Sequence, residues 1–342
     1  MNAGELIPLS DVLFYFFCQP VIHPGHLHVL LYIDRRKLPR DRDWMNLRDL
    51  RYLVAVAEER HFGRAAEACF VSQPTLSTQL KKLEETLGVT LIERTNRQVK
   101  LTGAGEQIVA QAQKVLFEVN TLNAMAEQHA DPLGGDFKLG IIPTLAPYLL
   151  PRILNPVAQS LPSLKLQLTE AQTGPLTRML KRGEIDAVLL ALPLNEENLY
   201  EFHLFDEPFL FAIPLDHAKA KRKFVTGSDL DGEEVLLLED GHCLREQALD
   251  VCRSHHASEN ANFRATSIET LRQMVSAGVG TTLMPKLAVP SESLQRQANV
   301  RYLPFRGDVP HRKIGLCWRT SSTRTVLLDE LANTLASALK KF

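Results

Sequence analysis

The chain has 342 residues, 45% hydrophobic and 23% charged, which is too long for one compact core and suits two or three domains of a soluble protein. Its formal net charge of -1 excludes a basic footprint spread over the whole molecule, so any nucleic-acid surface has to be local. The five cysteines, Cys18, Cys69, Cys243, Cys252 and Cys317, lack both the CxxC spacing of a zinc site and the even count of a secreted disulfide scaffold; they point to a reducing cytosol, with no metal and no cofactor.

Residues 1–44 read as a leader. They hold apolar runs at 12–17 and 29–33 and a mixed-charge stretch at 34–43. Glu5 and Asp11 contradict the early positive region of a signal peptide. Neither run approaches the roughly 18–20 residues of a membrane span. The expectation is a dispensable segment with Met45 as the natural start; the alternative is a membrane-surface arm.

From Met45 the helical signals begin. Leu50, Leu53, Val54 and Ala57 recur at helical spacing, and a short helix at 63–68 carries Ala65 and Ala66, small enough for another helix to pack closely across it. Cys69, Phe70 and Val71 make a turn. Ser72 is placed to cap the next helix, and Pro74 falls in its first turn, where a missing N–H costs nothing. Leu76, Leu80, Leu83 and Leu87 give that helix one buried face, and Gly88 stops it. Residues 89–92 and 99–101 read as two short strands around Thr95-Asn96-Arg97.

Two helices joined by a short turn, the second with a polar outer face, follow helix-turn-helix grammar, with the strands as a wing. The outward residues are Gln73, Thr75, Ser77, Thr78 and Lys81, beside Pro74. Glutamine pairs with adenine, and hydroxyls serve base edges or phosphates. Arg94, Arg97 and Lys100 can reach phosphate or the minor groove. A solvated helix in an ordinary helical domain would show the same pattern.

Thr102 caps a long helix whose apolar positions are Ile108, Ala112, Val115, Val119, Leu122 and Ala126. Their steps of four and three make a heptad seam that asks for a partner helix; packing on its own domain is the alternative. Asp131-Pro132-Leu133-Gly134-Gly135 ends the helix. Strands at 137–142, 165–170 and 186–192 then alternate with helices at 149–160 and 176–182, which predicts a mostly parallel sheet. Strands at 208–214 and 235–238 begin a second set, followed by a helix from Ser267 to Ala277 and a strand at 281–284. A strand at 313–318 and a helix from Thr323 close the chain. The reading is a winged helix-turn-helix at 45–103, a linker helix at 104–131 and an α/β domain at 132–342. That domain has subdomain I at 136–206 and 316–342, subdomain II at 207–315, and a cleft between them.

The runs at 46–53 (NLRDLRYL), 62–68 (FGRAAEA), 71–77 (VSQPTLS), 82–84 (KLE), 87–89 (LGV), 91–94 (LIER) and 101–105 (LTGAG) occur in order. With them, residues 45–342 resemble the LysR-type transcriptional regulators. The resemblance implies an N-terminal, mainly α, winged helix-turn-helix and a C-terminal two-subdomain α/β sensor of periplasmic-binding-protein shape. It also implies a homodimer through the linker helix, dimers pairing into a homotetramer on double-stranded promoter DNA, contact with RNA polymerase, a cytoplasmic, nucleoid-associated location and no membrane.

The segment at 238–247 (LEDGHCLREQ), followed by Cys252, resembles the peroxide-sensing members of that family, as do 142–144, 170–173 and 263–267. This implies Cys243 as the peroxidatic and Cys252 as the resolving cysteine, with Thr144, Thr173, His242 and Arg312 around the reactive sulfur. Hydrogen peroxide would be the signal and cellular thiols the reductants. Glu246 stands where an aspartate is usual, one methylene longer. A thiolate attacks one peroxide oxygen, which His242 or Arg312 can assist by stabilising the thiolate, and a cation can stabilise charge growing on the leaving oxygen. If residues 244–252 are helical, nine residues rise about 13.5 Å, whereas a disulfide needs Cα atoms within about 7 Å; bonding must then unwind the helix. Cys18, Cys69 and Cys317 read as small hydrophobes. Two other readings stay open: a regulator sensing an organic anion at Thr144 and a helix N-terminus, and a thiol peroxidase carrying a DNA-binding domain.

Overall fold

The computed structural model describes residues 45–94, 99–291 and 299–340. The leader with Cys18 and the turn at 95–98 with Arg97 lie outside the described residues, as does the Arg94 side chain. The described residues form two compact units that divide after Ala110.

In the first unit, α1 (Leu47–Glu59) starts at a reciprocal cap. The Asn46 side chain accepts from the Asp49 N–H at 3.0 Å, and the Asp49 carboxylate accepts from the Asn46 N–H at 3.2 Å. Such caps are each worth about 1 kcal/mol. His61 Nδ1 caps α2 (Phe62–Ala68) by accepting from the Gly63 and Arg64 N–H groups. Ser72 Oγ caps α3 (Gln73–Leu87), and Gly88 ends it at φ 70°, a left-handed conformation that suits glycine. Leu53, Val56, Ala65, Leu76 and Leu80 meet in the core these helices share.

The wing is an antiparallel pair, β1 (Ile92–Arg94) and β2 (Val99–Leu101). It starts later than the expected residue 89, because Val89 and Thr90 are exposed and Glu84 of α3 takes the N–H groups of Leu91 and Ile92 at 2.8 and 3.1 Å. Thr102 Oγ1 accepts from the Gly105 N–H at 2.9 Å and so caps α4 (Gly103–Ala130).

In the second unit, one face of α4 packs on its own domain: Asn120 donates to the Gly183 carbonyl at 3.3 Å, and Arg319 lies over the Phe117 ring. On the seam, Leu122 remains 65% exposed, and Ala126 is exposed too. Packing on its own domain thus accounts for one face of the helix, while Leu122 and Ala126 of the seam are left exposed in the single chain.

β3 (Gly135–Ile141) pairs in parallel with β4 (Leu164–Glu170) and β5 (Ala187–Leu192), through crossover helices α5 (Ala146–Ser160) and α6 (Thr173–Lys181). The sheet as a whole is mixed, contrary to the mostly parallel expectation. β6 (Leu199–Pro214) runs sixteen residues without a helix, and β11 (His311–Arg319) returns antiparallel beside it and beside β5. β9 (Thr282–Pro285) and β10 (Val300–Pro304) also pair antiparallel with β6. β7 (Glu234–Leu238) pairs in parallel with β8 (Ser258–Ala265), joined by α7 (Cys243–Ser254); α8 (Ile268–Ser276) follows, and α9 (Thr325–Leu339) closes the chain.

Two apolar cores result. Phe137, Leu139, Leu189, Leu316 and Leu331 belong to the first, and Phe209, Val235, Leu244, Cys252 and Leu271 to the second. β6 passes from one to the other between Phe205 and Phe209.

Candidate functional site

The cysteine pair lies on α7. β7 ends at Leu238, Gly241 turns the chain at φ 96°, and Cys243 opens the helix. A side chain at 241 would collide with Gln172, the residue before α6. Glycine thus lets the turn at 241 abut the Gln172 side chain.

The two thiols are free and differently housed. Cys243 is half-buried and packs against the first core, whereas Cys252 is 1% exposed inside the second. Burial, with Glu259 adding to it, pushes the Cys252 thiol up to about 11, so it is protonated and shielded. α7 runs unbroken over twelve residues, which separates the cysteines by about 13.5 Å along its axis. Arg245 ties the helix to β8, bonding both oxygens of Glu259 at 2.8 and 2.9 Å and the Leu238 carbonyl at 3.1 Å.

Arg312 of β11 is 1% exposed. Its Nη1 donates to Thr144 Oγ1 at 3.0 Å and its Nη2 to the Thr144 carbonyl at 3.2 Å. The guanidinium is balanced by Glu207 of β6, equally buried, whose Oε2 lies 2.8 Å from Nε and 2.7 Å from Nη2. Glu207 was absent from the sequence reading. Its sequence signal is weak, since Asp206 and Glu207 both stand between Phe205 and Phe209 in a strand that also carries Glu201 and His203.

Thr173 opens α6, and its Oγ1 is shielded from solvent with no hydrogen-bond partner among the described residues. A buried hydroxyl in that condition has room for an ordered water or a ligand atom as its partner. His242 is 6% exposed, with Nε2 4.0 Å from Glu239. Burial pushes its pKa below the usual 6.5, outweighing Glu239. At neutral pH the imidazole is therefore uncharged, so any help it gives a thiolate comes through a hydrogen bond and not a full charge. Glu246 faces solvent on α7 and does not line the cleft.

A cleft of about 430 Å³ lies between the two halves of this unit. Thr144 and His242 line it, together with Glu170, Gln172, Glu239 and Glu269. Cys243, Thr173 and Arg312 are not on its wall, Arg312 standing behind Thr144.

On α3, Gln73, Pro74, Thr75, Thr78 and Lys81 are exposed and Ser77 is half-buried. Thr75 Oγ1 bonds Ser72 Oγ at 2.8 Å, so it shares in the cap. Lys81 lies 3.8 Å from Glu85 in an exposed pair worth little, which leaves its charge available to a phosphate.

Residues 47–106 match the family model of the bacterial regulatory helix-turn-helix protein, lysR family, and residues 130–340 that of the LysR substrate binding domain. A hydrogen peroxide-inducible genes activator of Escherichia coli O6:H1 is 50% identical over 295 residues, 86% of this chain and 96% of that protein. Full-length OxyR of Pseudomonas aeruginosa, solved as a cysteine-to-aspartate variant, matches with a TM-score of 0.65 at 38% identity, covering 87% of this chain and 97% of that one. A structure of oxidized OxyR matches with a TM-score of 0.57 at 46% identity, covering 61% of this chain and 98% of that one.

Proposed function

The chain belongs to the LysR family of bacterial transcription regulators, and we propose that it senses hydrogen peroxide through an intramolecular Cys243–Cys252 disulfide. One observation carries the reading: the two free thiols stand on a single helix, the half-buried Cys243 packed against the first core and Cys252 buried within the second. A relative named for peroxide-inducible genes and a relative solved in oxidized form support it.

The Cys243 thiolate attacks one oxygen of peroxide. An S–O bond forms and the O–O bond breaks. The electron pair leaves on the second oxygen, which gains a proton and departs as water; sulfur is oxidised to sulfenic acid and peroxide is reduced. Thr144 and Thr173 orient peroxide, and Arg312, through its bond to Thr144, stabilises the departing oxygen. Cys252 then attacks the sulfenic sulfur. The S–S bond forms, hydroxide leaves, and the proton of the Cys252 thiol converts it to water. Cellular thiols reverse the cycle, which makes the protein a stoichiometric sensor.

The first unit holds double-stranded promoter DNA through α3 and the wing. The exposed seam of α4 pairs two chains, and dimers of dimers recruit RNA polymerase. Among the described residues no helix is long and apolar enough to cross a membrane. The cleft is of metabolite size, but Glu170, Glu239 and Glu269 on its wall disfavour the organic anion of the competing reading.

Peptide mapping with thiol trapping after mild peroxide tests the proposal. A Cys243–Cys252 cross-link, lost on reduction, is the expected result. Cys252→Ser should stop at sulfenic acid, and Cys243→Ser should not respond. Two free thiols alongside an intact peroxide response in reporter genes would overturn it.

A further inference from the structure

The buried Glu207 touches neither cysteine, yet it ends at the group that prepares the reaction. We propose that Glu207 is a positioning residue for the peroxide step, acting through Arg312; this rests on Cys243 being the peroxide-reactive thiol.

Each oxygen of Glu207 is committed. Oε2 takes Nε and Nη2 of Arg312 at 2.8 and 2.7 Å, and Oε1 takes the Leu287 N–H at 2.8 Å. Held at those two nitrogens, the planar guanidinium has its orientation fixed. Nη1 is thereby aimed at Thr144 Oγ1, 3.0 Å away. Because that hydroxyl oxygen accepts from Arg312, its own proton is turned elsewhere and is available to donate. Thr144 lines the cleft. Glu207 thus determines, two bonds removed, that Thr144 presents a donor to an incoming oxygen. It also offsets the Arg312 charge where neither side chain meets water.

A carboxylate is required at 207 because donors approach both of its oxygens. In Glu207→Gln the amide must turn its NH2 toward either Leu287 N–H or Arg312, so one link fails. Aspartate keeps the charge but is a methylene too short to span both. A purely structural ion pair makes a different forecast: its loss would lower stability and leave a folded protein's chemistry intact, since buried pairs are often replaceable by apolar residues.

The test measures sulfenic acid formation at Cys243 by dimedone trapping and mass spectrometry in the full-length chain carrying Cys252→Ser, which isolates the first step. Alkylation of Cys243 by iodoacetamide, run in parallel, reads the thiolate without needing an aligned donor. Glu207→Gln should slow the peroxide reaction ten-fold or more while alkylation stays within two-fold, and Glu207→Asp should fall between the two. Since Glu207 acts through Arg312, Arg312→Met and the double variant Glu207→Leu/Arg312→Met should oxidise at the same rate within two-fold. That pair, with Glu207→Asp, decides the matter if Glu207→Gln does not fold. A Glu207→Gln protein oxidised at the parent rate, peroxide and alkylation rates falling together, or a double variant ten-fold slower than Arg312→Met would each overturn the proposal. Absence of sulfenic acid in the parent would overturn the peroxide reading itself.

Discussion

If closing the disulfide requires α7 to unwind, its rate must respond to helix propensity at positions that touch nothing else. Asp250 is such a position. It is the eighth residue of the helix, with a side chain 74% exposed that meets only the equally solvated Arg253. Asp250→Gly and Asp250→Ala both remove that pair and spare the core face of Leu244, Ala248 and Cys252. Ser254 Oγ donates to the backbone carbonyl of residue 250, which both variants keep. The two proteins then differ by propensity alone, glycine being about 0.8–1.0 kcal/mol less favourable than alanine inside a helix. With opening ahead of bond formation, the glycine variant should close the disulfide about four- to five-fold faster. Quenched-flow mixing with peroxide, followed by thiol trapping and mass spectrometry, gives the rate of cross-linking and, separately, the rate of sulfenic acid formation. The latter should be the same in both, because Cys243 lies seven residues away at the other end of the helix. Equal closure rates, or faster closure in the alanine variant, would refute the unwinding step.

Other consequences are as direct. Leu122→Asp changes a side chain already 65% exposed in one chain, so the fold should persist while sedimentation shifts toward monomer; an unchanged mass would place the main interface elsewhere. His242 is kept neutral by burial, so as pH falls below about 6.5 the unfolded chain binds a proton that the folded one resists. Stability should drop with acid through this group, and His242→Gln should lessen the drop in urea midpoint between pH 7.5 and 5.0; equal drops would count against it. Lys81→Ala should weaken DNA binding across sequences and flatten the salt dependence by about one unit of slope, whereas Ser77→Ala and Thr78→Ala should alter sequence preference.

The helical parts of the first unit were legible from apolar spacing, from Ser72 and Thr102 where an N-cap is needed, and from Gly88 where a left-handed residue is, whereas the caps at Asn46 and His61 emerge only in the structure. The wing's start was misread because Leu91 and Ile92 bond Glu84, a contact that alternation in sequence does not encode. β8 gave no signal, since Ser258, Glu259, Asn260 and Asn262 are polar in a strand paired on one side only. The parallel-sheet expectation failed at β6 and β11, whose pairing joins residues about a hundred apart. In the site, the cysteines and their flanking residues were recognisable from a contiguous run. Glu207 was not, because it, its partners Arg312 and Leu287, and Thr144 beyond Arg312 come from four separate stretches of chain. His242 was legible as a site residue but not in its charge, which burial decides.

The placement of the two thiols also explains why oxidation can act as a switch. α7 buries one large apolar side chain, Leu244, with Ala248 and Cys252 completing its inward face. A helix of twelve residues is marginal without tertiary support, and burying one leucine contributes about 1.5–3 kcal/mol. The stronger hold is at the N-terminal end, where Arg245 grips Glu259 with two bonds. Toward the C-terminus, Asp250 and Arg253 face solvent. On the proposed switch, unwinding should therefore start from the Cys252 end and carry Cys252 with it. In leaving the second core it escapes the burial that holds its thiol near 11, so the motion that brings it to the sulfenic sulfur also makes it a better nucleophile. Until Cys243 is oxidised that exposure gains no bond, and the helix re-forms. On that reading, the same packing that shields Cys252 would prevent it from reacting before Cys243 is oxidised.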